Sequence, residues 1–264
     1  MLIMCNGIYK SGSTWVFLML LELTGQDEPP EHWADPNQVR NIDVLKAPQE
    51  VLDAAMTSHV ISKIHSYDRD FLVWLRDHGA RTIVTRRDEV DILASHYHHF
   101  SKEKMSLPPW LYAQTIGFAK AIEVLLYERI ATAPDAADLV IDFPQLKTDP
   151  AEVLTQIVAT LGLDYGQDAI ATAAERANMR GRGYRETFVG MEQRDWFFRR
   201  DDSVLSEGDR RALSACVRWA HRLVAIGPLA RGMTWLFMRD RRRAKFRLYR
   251  ARTGAEKIIK SIQK

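Results

Sequence analysis

Cysteine is scarce in this sequence, and long apolar runs are missing. Only Cys5 and Cys216 are cysteines among the 264 residues, and their separation fits neither a metal-binding nor a redox motif. We therefore expect no disulfide framework, which is typical of proteins from a reducing cytosol. The mostly apolar stretch that starts at Trp15 is too short to span a bilayer, and the single Lys10 before it does not make a signal peptide. These features predict a cytoplasmic protein with a buried first helix.

Charge is unevenly distributed along the chain. The 37 Lys and Arg exceed the 34 Asp and Glu only slightly, for a net charge of +3. Residues 231–264, which we call the basic tail, hold 12 basic and 2 acidic residues, so the tail is +10 and residues 1–230 are −7. We predict a domain over 1–230 and an amphipathic, helical tail. The tail either packs on the acidic domain or lies on anionic lipid at an inner membrane surface. No fold signal indicates nucleic-acid binding.

Predicted strands and helices alternate along most of the domain. The pattern predicts strands at 2–8, 59–65, 81–87 and 137–143. It predicts helices at 14–23, 67–79, 89–100, 108–132, 150–162, 166–178 and 206–226. Residues 25–47 show no clear period. This alternation predicts a single α/β domain, a P-loop-like three-layer sandwich whose central, mostly parallel sheet is flanked by helices.

The segment "IYKSGSTW" (8–15) joins the first predicted strand to the first predicted helix. Free main-chain N–H groups and the helix dipole at such a junction attract an anion, and Gly12 lets the backbone approach it closely. The loop adds hydroxyl donors and one cation: Ser11, Ser13, Thr14 and Lys10. The segment therefore predicts a phosphate-binding loop.

This loop differs from the P-loop of nucleotide triphosphatases. Gly7 and Gly12 have the P-loop separation, but Ser13 stands where the P-loop Lys belongs, and Lys10 precedes Gly12 by two residues. No strand-end Asp suited to Mg²⁺ follows a hydrophobic run. The site is a poor candidate for nucleotide hydrolysis, although a P-loop-type nucleotide kinase stays an alternative.

Four segments, in order, resemble motifs of the sulfotransferases that use 3′-phosphoadenosine 5′-phosphosulfate (PAPS). The loop "YKSGSTW" is similar to the family's "YPKSGTTW", and "SKIH" (62–65) is similar to its "KTH" strand end. Residues 86–100 resemble "RNPKDVAVSYYHF", and residues 141–163 resemble "YEDLKKDPEEVLRRIAEFLGL". The resemblance implies the cytosolic-type sulfotransferase fold, with 1–230 as the sulfotransferase domain.

The resemblance also implies how PAPS, and its product PAP, would bind. The loop would bind the 5′-phosphosulfate through Lys10, Ser11, Gly12, Ser13 and Thr14. Trp15 occupies the position that stacks on adenine, and Phe143 replaces a Tyr beside adenine. Arg87 and Ser95 would bind the 3′-phosphate, for which the fork of an Arg is well suited.

The implied catalytic residues are His65, Lys63 and Lys10. Residues two apart on a strand face the same side, so Lys63 and His65 can point into one cleft. His65 would take the proton of an acceptor hydroxyl during in-line displacement, while Lys10 and Lys63 offset the developing negative charge. No metal is expected. We expect the acceptor group to be a hydroxyl of a lipid, a glycan or a small alcohol, with an amine as the alternative. Residues 25–57 and 101–135 and the basic tail, which resemble the family least, would shape the acceptor pocket.

The chain departs from the family in its late phosphate-binding loop. Residues 197–213 keep Arg199 and Arg200 but lack the family's two glycines, and Arg194 is a rival for the same role. Tyr9 also stands where the family has Pro. These departures leave open a non-catalytic, sulfotransferase-like protein that binds nucleotide or membrane.

A histidine-rich helix offers a separate possibility. His96 and His99 are three residues apart, a spacing that can bind a metal ion on a helix. No matching carboxylate or Cys is evident, so we predict no metal site and place His98 or His99 near the acceptor.

Overall fold

The structure is a computed structural model. It describes residues 1–25, 34–35, 38–42, 60–66, 68–103, 108–177 and 205–226. The basic tail and Arg194, Arg199 and Arg200 lie outside these residues, so what is predicted for them stays a prediction. The domain boundary at residue 230 also lies outside them.

Parallel strands form the centre of the structure. The described strands are β1 (Leu2–Gly7), β2 (Ala34–Asp35), β3 (Gln38–Ile42), β4 (Val60–Ile64), β5 (Arg81–Arg86) and β6 (Leu139–Asp142). One sheet has the order β4-β1-β5-β6, each strand parallel to its neighbours, and β2 pairs with β3 in a separate antiparallel pair. Because the four parallel strands point the same way, their carboxyl ends meet at one edge, where open α/β sheets bind ligands.

Helices follow the strands as the sequence predicts. The described helices are α1 (Ser13–Thr24), α2 (Arg69–Asp77), α3 (Glu89–Glu103), α4 (Pro109–Gln114), α5 (Ile116–Ala131), α6 (Phe143–Thr148), α7 (Pro150–Leu161), α8 (Gln167–Arg176) and α9 (Glu207–Ala225). Asp149 caps α7, because its side chain accepts a hydrogen bond of 3.0 Å from the Glu152 N–H.

Apolar side chains cover both faces of the parallel sheet. On one face Ile3, Cys5 and Ile83 pack with α1, α7 and α8. On the other face Val84 packs with α2, α3 and α5. Consecutive residues of a strand point to opposite faces, as Ile83 and Val84 do here. The three layers that result confirm the predicted α/β sandwich.

The predicted single helix over 108–132 is wrong, because α4 and α5 are separate helices. Thr115 interrupts them with φ −118° and ψ −94°, and its hydroxyl donates to the Leu111 carbonyl over 2.7 Å. Gly117 then lets the Tyr112 ring approach the start of α5, since a Cβ there would lie 2.9 Å from Tyr112 Cε1. The interruption therefore has a packing reason that helical periodicity does not reveal.

The region 25–47 shows no clear period in the sequence, yet part of it forms strands. It contains β2 and β3, which pair antiparallel with a register shift between Ala34 and Asp35. A strand of two residues is too short to show the alternation that identifies a strand in a sequence.

Both cysteines are free and buried. Burial raises the pKa of the Cys5 thiol well above its usual range and that of Cys216 to about 11. Both thiols are therefore protonated and inert at neutral pH, in line with the expected absence of a disulfide framework. Among the described helices, none is long and apolar enough to cross a membrane.

Candidate active site

The loop between β1 and α1 has the backbone shape of an anion-binding site. Lys10 has φ 67° and Gly12 has φ 102°, so two of its residues adopt the left-handed conformation. Gly12 is also the N-cap of α1, and the first turn of α1 contains neither a side-chain cap nor an acidic residue. The positive end of the helix dipole and its first N–H groups are thus available to an anion.

Two glycines are required in this loop because neighbouring side chains leave no room for a Cβ. A Cβ at Gly7 would lie 2.3 Å from Thr85 Oγ1 and 2.5 Å from Ser11 Oγ. A Cβ at Gly12 would lie 2.8 Å from Phe143 Cδ2. The loop is therefore packed tightly between the end of β5 and the start of α6.

Ser11 shapes the loop through its side chain. The residue is fully buried, and its hydroxyl donates to the Ile8 carbonyl over 2.7 Å and lies 2.7 Å from Thr85 Oγ1. The Ser11 N–H also donates to the Ile8 carbonyl, over 3.1 Å. These contacts differ from the predicted direct contact of the Ser11 hydroxyl with an anion, because its one proton is used inside the loop. Ser13 is buried and Thr14 is half-buried at the start of α1.

Positive charge is concentrated at the loop. Lys63 pairs in register with Cys5 across β4 and β1, and it is half-buried. Burial, followed by the positive charge of Lys10, lowers the pKa of Lys63 to about 8. The structure therefore brings Lys10 and Lys63 together, as predicted, in a place where a bound anion would relieve their repulsion.

Arg87 and Phe143 lie on the other side of the loop. Arg87 Nη1 donates to the Lys10 carbonyl over 3.2 Å, and the guanidinium carbon lies 4.5 Å from the centre of the Phe143 ring. The contact with Lys10 places the guanidinium next to the loop, where a planar group with several donors suits a phosphate. Ser95 is half-buried in the second turn of α3.

His65 follows the last residue of β4 and contacts the end of β1. Its Nδ1 atom forms a short hydrogen bond with the Gly7 carbonyl oxygen. Because a carbonyl can only accept, this contact assigns a proton to Nδ1, so that in the neutral imidazole the lone pair is on Nε2. The His65 ring also packs on Tyr9, with 4.7 Å between ring centres. A neutral imidazole held in this way has the tautomer that a base acting through Nε2 requires.

Asn6 is a residue of this site that the sequence reasoning did not identify. It is fully buried, and its Oδ1 atom accepts hydrogen bonds from the N–H groups of Gly7 and Ser66, both over 3.0 Å, and from the Tyr127 hydroxyl. Its Nδ2 atom donates to the Ser66 carbonyl over 2.9 Å. A lone amide in the apolar strand "LIMCNGI" is the signal that could have identified it.

Trp15 has surroundings different from those expected of a residue that faces the ligand, and His96 has a partner that the sequence did not reveal. Trp15 is only 7% exposed and belongs to the core cluster around α1, so a contact with adenine stays a prediction. His96 Nδ1 lies 2.7 Å from the buried Tyr112 hydroxyl, which gives it a structural partner. Within the described residues, no group of three or more His, Cys, Asp or Glu could hold a metal ion.

Sequence comparison identifies the family. The family profile described as "Sulfotransferase domain" matches residues 2–187, which is more than half of the chain. The chain therefore belongs to the sulfotransferase family, and the resemblance of its loop and strand-end motifs is confirmed. No curated protein matches the chain.

A solved structure shares the fold. The mouse sulfotransferase SULT7A1, complexed with PAP, is 15% identical, and the similarity covers 90% of this chain and 88% of that chain with a TM-score of 0.51. At this identity the likeness concerns the fold alone. A weaker likeness is to a retinol dehydratase, in complex with androsterone and inactive cofactor PAP, which is 14% identical over 83% of this chain and 80% of that chain, with a TM-score of 0.46.

Proposed function

We propose that this protein transfers a sulfuryl group from PAPS to the hydroxyl group of an acceptor, with His65 as the base. The observation that carries the proposal is the contact of His65 Nδ1 with the Gly7 carbonyl oxygen, which in the neutral imidazole leaves the lone pair on Nε2. That nitrogen belongs to a residue two places after Lys63 of β4, and its ring packs on Tyr9, which precedes Lys10 of the anion-binding loop. Membership of the family supports sulfuryl transfer as the general activity.

The described residues fit a polyanionic sulfuryl donor. Lys10, Ser13, Thr14 and the first N–H groups of α1 would hold the phosphosulfate end, where Gly12 keeps the backbone open. The 3′-phosphate would bind Arg87 and Ser95, completed by Arg194, Arg199 or Arg200. Phe143 and Trp15 would adjoin the adenine. The pKa of Lys63, lowered first by burial and then by Lys10, supports this fit, because a bound anion would favour the charged form of Lys63.

The chain's own residues then carry out the proton transfer and the charge stabilisation. When bound, PAPS supplies a sulfuryl group on a phosphate leaving group. His65 accepts the acceptor's proton at Nε2, while the Gly7 carbonyl orients the ring and stabilises the imidazolium. Lys10 and Lys63 supply positive charge next to the leaving group. These ammonium groups take the role that metal ions have in many phosphoryl-transfer enzymes, so we propose that transfer is metal-independent.

The acceptor in this proposal is a small alcohol, a glycan or a lipid. Tyr9 is 42% exposed and packs on His65, so it would present a ring face beside the base. The +10 charge of the basic tail supports peripheral contact with an anionic membrane, which would favour a lipid acceptor. We keep residues 1–230 as the sulfotransferase domain in this proposal and expect no nucleic-acid partner.

The test is transfer of radioactive sulfur from PAPS to a panel of small alcohols, glycans and lipid vesicles, without added metal. We expect label to appear on one class of acceptor and to disappear in the His65→Gln variant. Phosphoryl transfer from ATP with Mg²⁺ to the same panel, with no sulfur transfer, would contradict the proposal and favour a nucleotide kinase. PAP binding without any transfer would favour a non-catalytic protein.

A further inference from the structure

The segment that carries His65 is held by a buried side chain of the neighbouring strand. Asn6 and Ser66 exchange two hydrogen bonds, from Asn6 Nδ2 to the Ser66 carbonyl over 2.9 Å and from the Ser66 N–H to Asn6 Oδ1 over 3.0 Å. The pair continues the ladder between β1 and β4 beyond Ile64, the last residue of β4. His65 therefore lies between the end of a strand ladder and a side-chain clamp on the next residue.

A phenol on the opposite face of the sheet holds this clamp in place. The Tyr127 hydroxyl of α5 donates to Asn6 Oδ1, and Tyr127 is 2% exposed. The amide oxygen thus receives three donors, since the Gly7 N–H also donates to it over 3.0 Å. Gly7 is the residue whose carbonyl holds His65 Nδ1, so the same amide fixes both the carrier of the base and the group that sets its tautomer.

Helix α5 also contacts the exposed side of the base. The Lys120 ammonium lies 5.3 Å above the Tyr9 ring, which packs on His65, and Lys120 pairs with Glu123 of the same helix. One helix is therefore joined to His65 by two routes, a buried one through Asn6 and an exposed one through Tyr9.

We propose that Asn6 and Tyr127 are positioning residues for the base of the reaction. They act through Ser66 and Gly7 to keep the His65 imidazole in the Nδ1–H tautomer with Nε2 directed to the acceptor. This inference rests on the proposed function for its catalytic meaning. Its structural part is that Tyr127 of α5 helps to hold the tautomer of His65, and this tautomer can be measured in the protein without ligands.

The test compares Asn6→Ala and Tyr127→Phe with the control Tyr112→Phe. Tyr112 is also a buried tyrosine with a hydroxyl bonded to a side chain, but its partner His96 lies outside the Asn6 network. Nitrogen-15 NMR of the imidazoles reports the tautomer of His65, whose signals are assigned by their loss in His65→Gln. For each folded variant, kcat and the KM for PAPS are measured with the acceptor found in the radioactive assay.

We expect a single Nδ1–H tautomer in the wild type and in Tyr112→Phe, and a mixture of tautomers in the two test variants. Loss of these hydrogen bonds should lower kcat about 3-fold in Tyr127→Phe and at least about 10-fold in Asn6→Ala, with the KM for PAPS unchanged. An unchanged tautomer in the test variants, or an equal loss of kcat in Tyr112→Phe, would overturn the inference. If Asn6→Ala does not fold, the tautomer and the kcat of the conservative variant Tyr127→Phe test the inference.

The NMR measurement needs neither PAPS nor an acceptor, so it separates this inference from the proposed function. If the tautomer of His65 changes in Asn6→Ala and Tyr127→Phe but the wild type transfers no sulfur, the proposed function is contradicted and the role of Asn6 and Tyr127 in holding the tautomer is supported. If the wild type transfers sulfur but the tautomer of His65 is unchanged in both variants, only the positioning role of Asn6 and Tyr127 is contradicted.

Discussion

The Nδ1–H of His65 donates a hydrogen bond to the main-chain oxygen of Gly7, the last residue of the strand that leads into the anion-binding loop. This contact joins the ends of β4 and β1 and fixes the imidazole next to the loop. It also determines which nitrogen is basic in the neutral imidazole, because the proton on Nδ1 leaves the lone pair on Nε2.

Removal of the imidazole should abolish transfer and spare donor binding. We expect His65→Ala and His65→Asn to lower kcat at least about 100-fold and to leave PAP affinity within about 2-fold of wild type. His65→Asn matters because its amide can still donate to Gly7 but cannot act as a base. His78→Ala is the control, since His78 is an exposed histidine at the end of α2. A His65→Asn variant with near-normal kcat would contradict the assignment.

The lowered pKa of Lys63 predicts proton uptake on PAP binding. Its pKa is about 8 in the folded protein, against an ordinary value of 10.5, because burial and Lys10 disfavour the charged form. Between these two pH values the unfolded chain holds a proton that the folded protein has lost, so the stability of the free protein rises with pH across this window. A bound anion favours the protonated form of Lys63, so binding takes up a proton. The affinity for the anion therefore falls as the pH rises across this window.

Calorimetry at about pH 8.5 in buffers of different ionisation enthalpy measures this uptake. We expect a fraction of a proton to be taken up per PAP bound and the affinity to fall as the pH rises above 8. Lys63→Arg, which stays charged throughout, should remove both effects. The same proton uptake in Lys63→Arg would assign the linkage to another group.

Two adjacent arginines provide a matched test of the 3′-phosphate site. Arg87 donates to the Lys10 carbonyl, whereas Arg86 is exposed and paired with Asp142 through contacts of 2.7 Å and 3.0 Å. Arg87→Ala should weaken PAP binding by about 1.5–3 kcal/mol through loss of a charge-assisted hydrogen bond, and Arg86→Ala should have little effect. The affinity for adenosine 5′-phosphosulfate, which has no 3′-phosphate, should be insensitive to both. Equal affinity of wild type and Arg87→Ala for PAP would remove Arg87 from the site.

Gly12 and Gly79 separate the effects of close packing and backbone strain. Both have positive φ, 102° and 87°, but a Cβ at Gly12 meets Phe143 at 2.8 Å while a Cβ at Gly79 meets nothing within 4 Å. Gly79→Ala should lower the free energy of unfolding by about 1 kcal/mol through strain alone. Gly12→Ala should cost about 1–3 kcal/mol more and weaken PAP binding. Equal unfolding midpoints in denaturant would show that the contact with Phe143 has no energetic weight.

The sequence predicts the layers of this fold well because its strands are buried on both faces and its helices have clear ends. It predicts Lys10, Lys63, Arg87 and Phe143 as one site, and the structure brings Lys10 together with Lys63 and with Arg87 and Phe143. Sequence patterns could not show that the Ser11 hydroxyl turns inward to Thr85. They also could not show that Asn6 bonds both to Ser66 and to Tyr127, which lies 121 residues after Asn6 in the chain. Such contacts depend on which strands become neighbours, and local periodicity carries no information on that pairing.

We propose that the loop and Arg87 recognise a 3′-phosphorylated adenine nucleotide. The first experiment is calorimetric titration of the full chain with PAP in the absence of metal, with ADP and Mg²⁺ as the comparison. We expect tight binding of PAP without metal and much weaker binding of ADP. Preference for ADP with Mg²⁺ would rule out this recognition and make the loop a nucleotide kinase site.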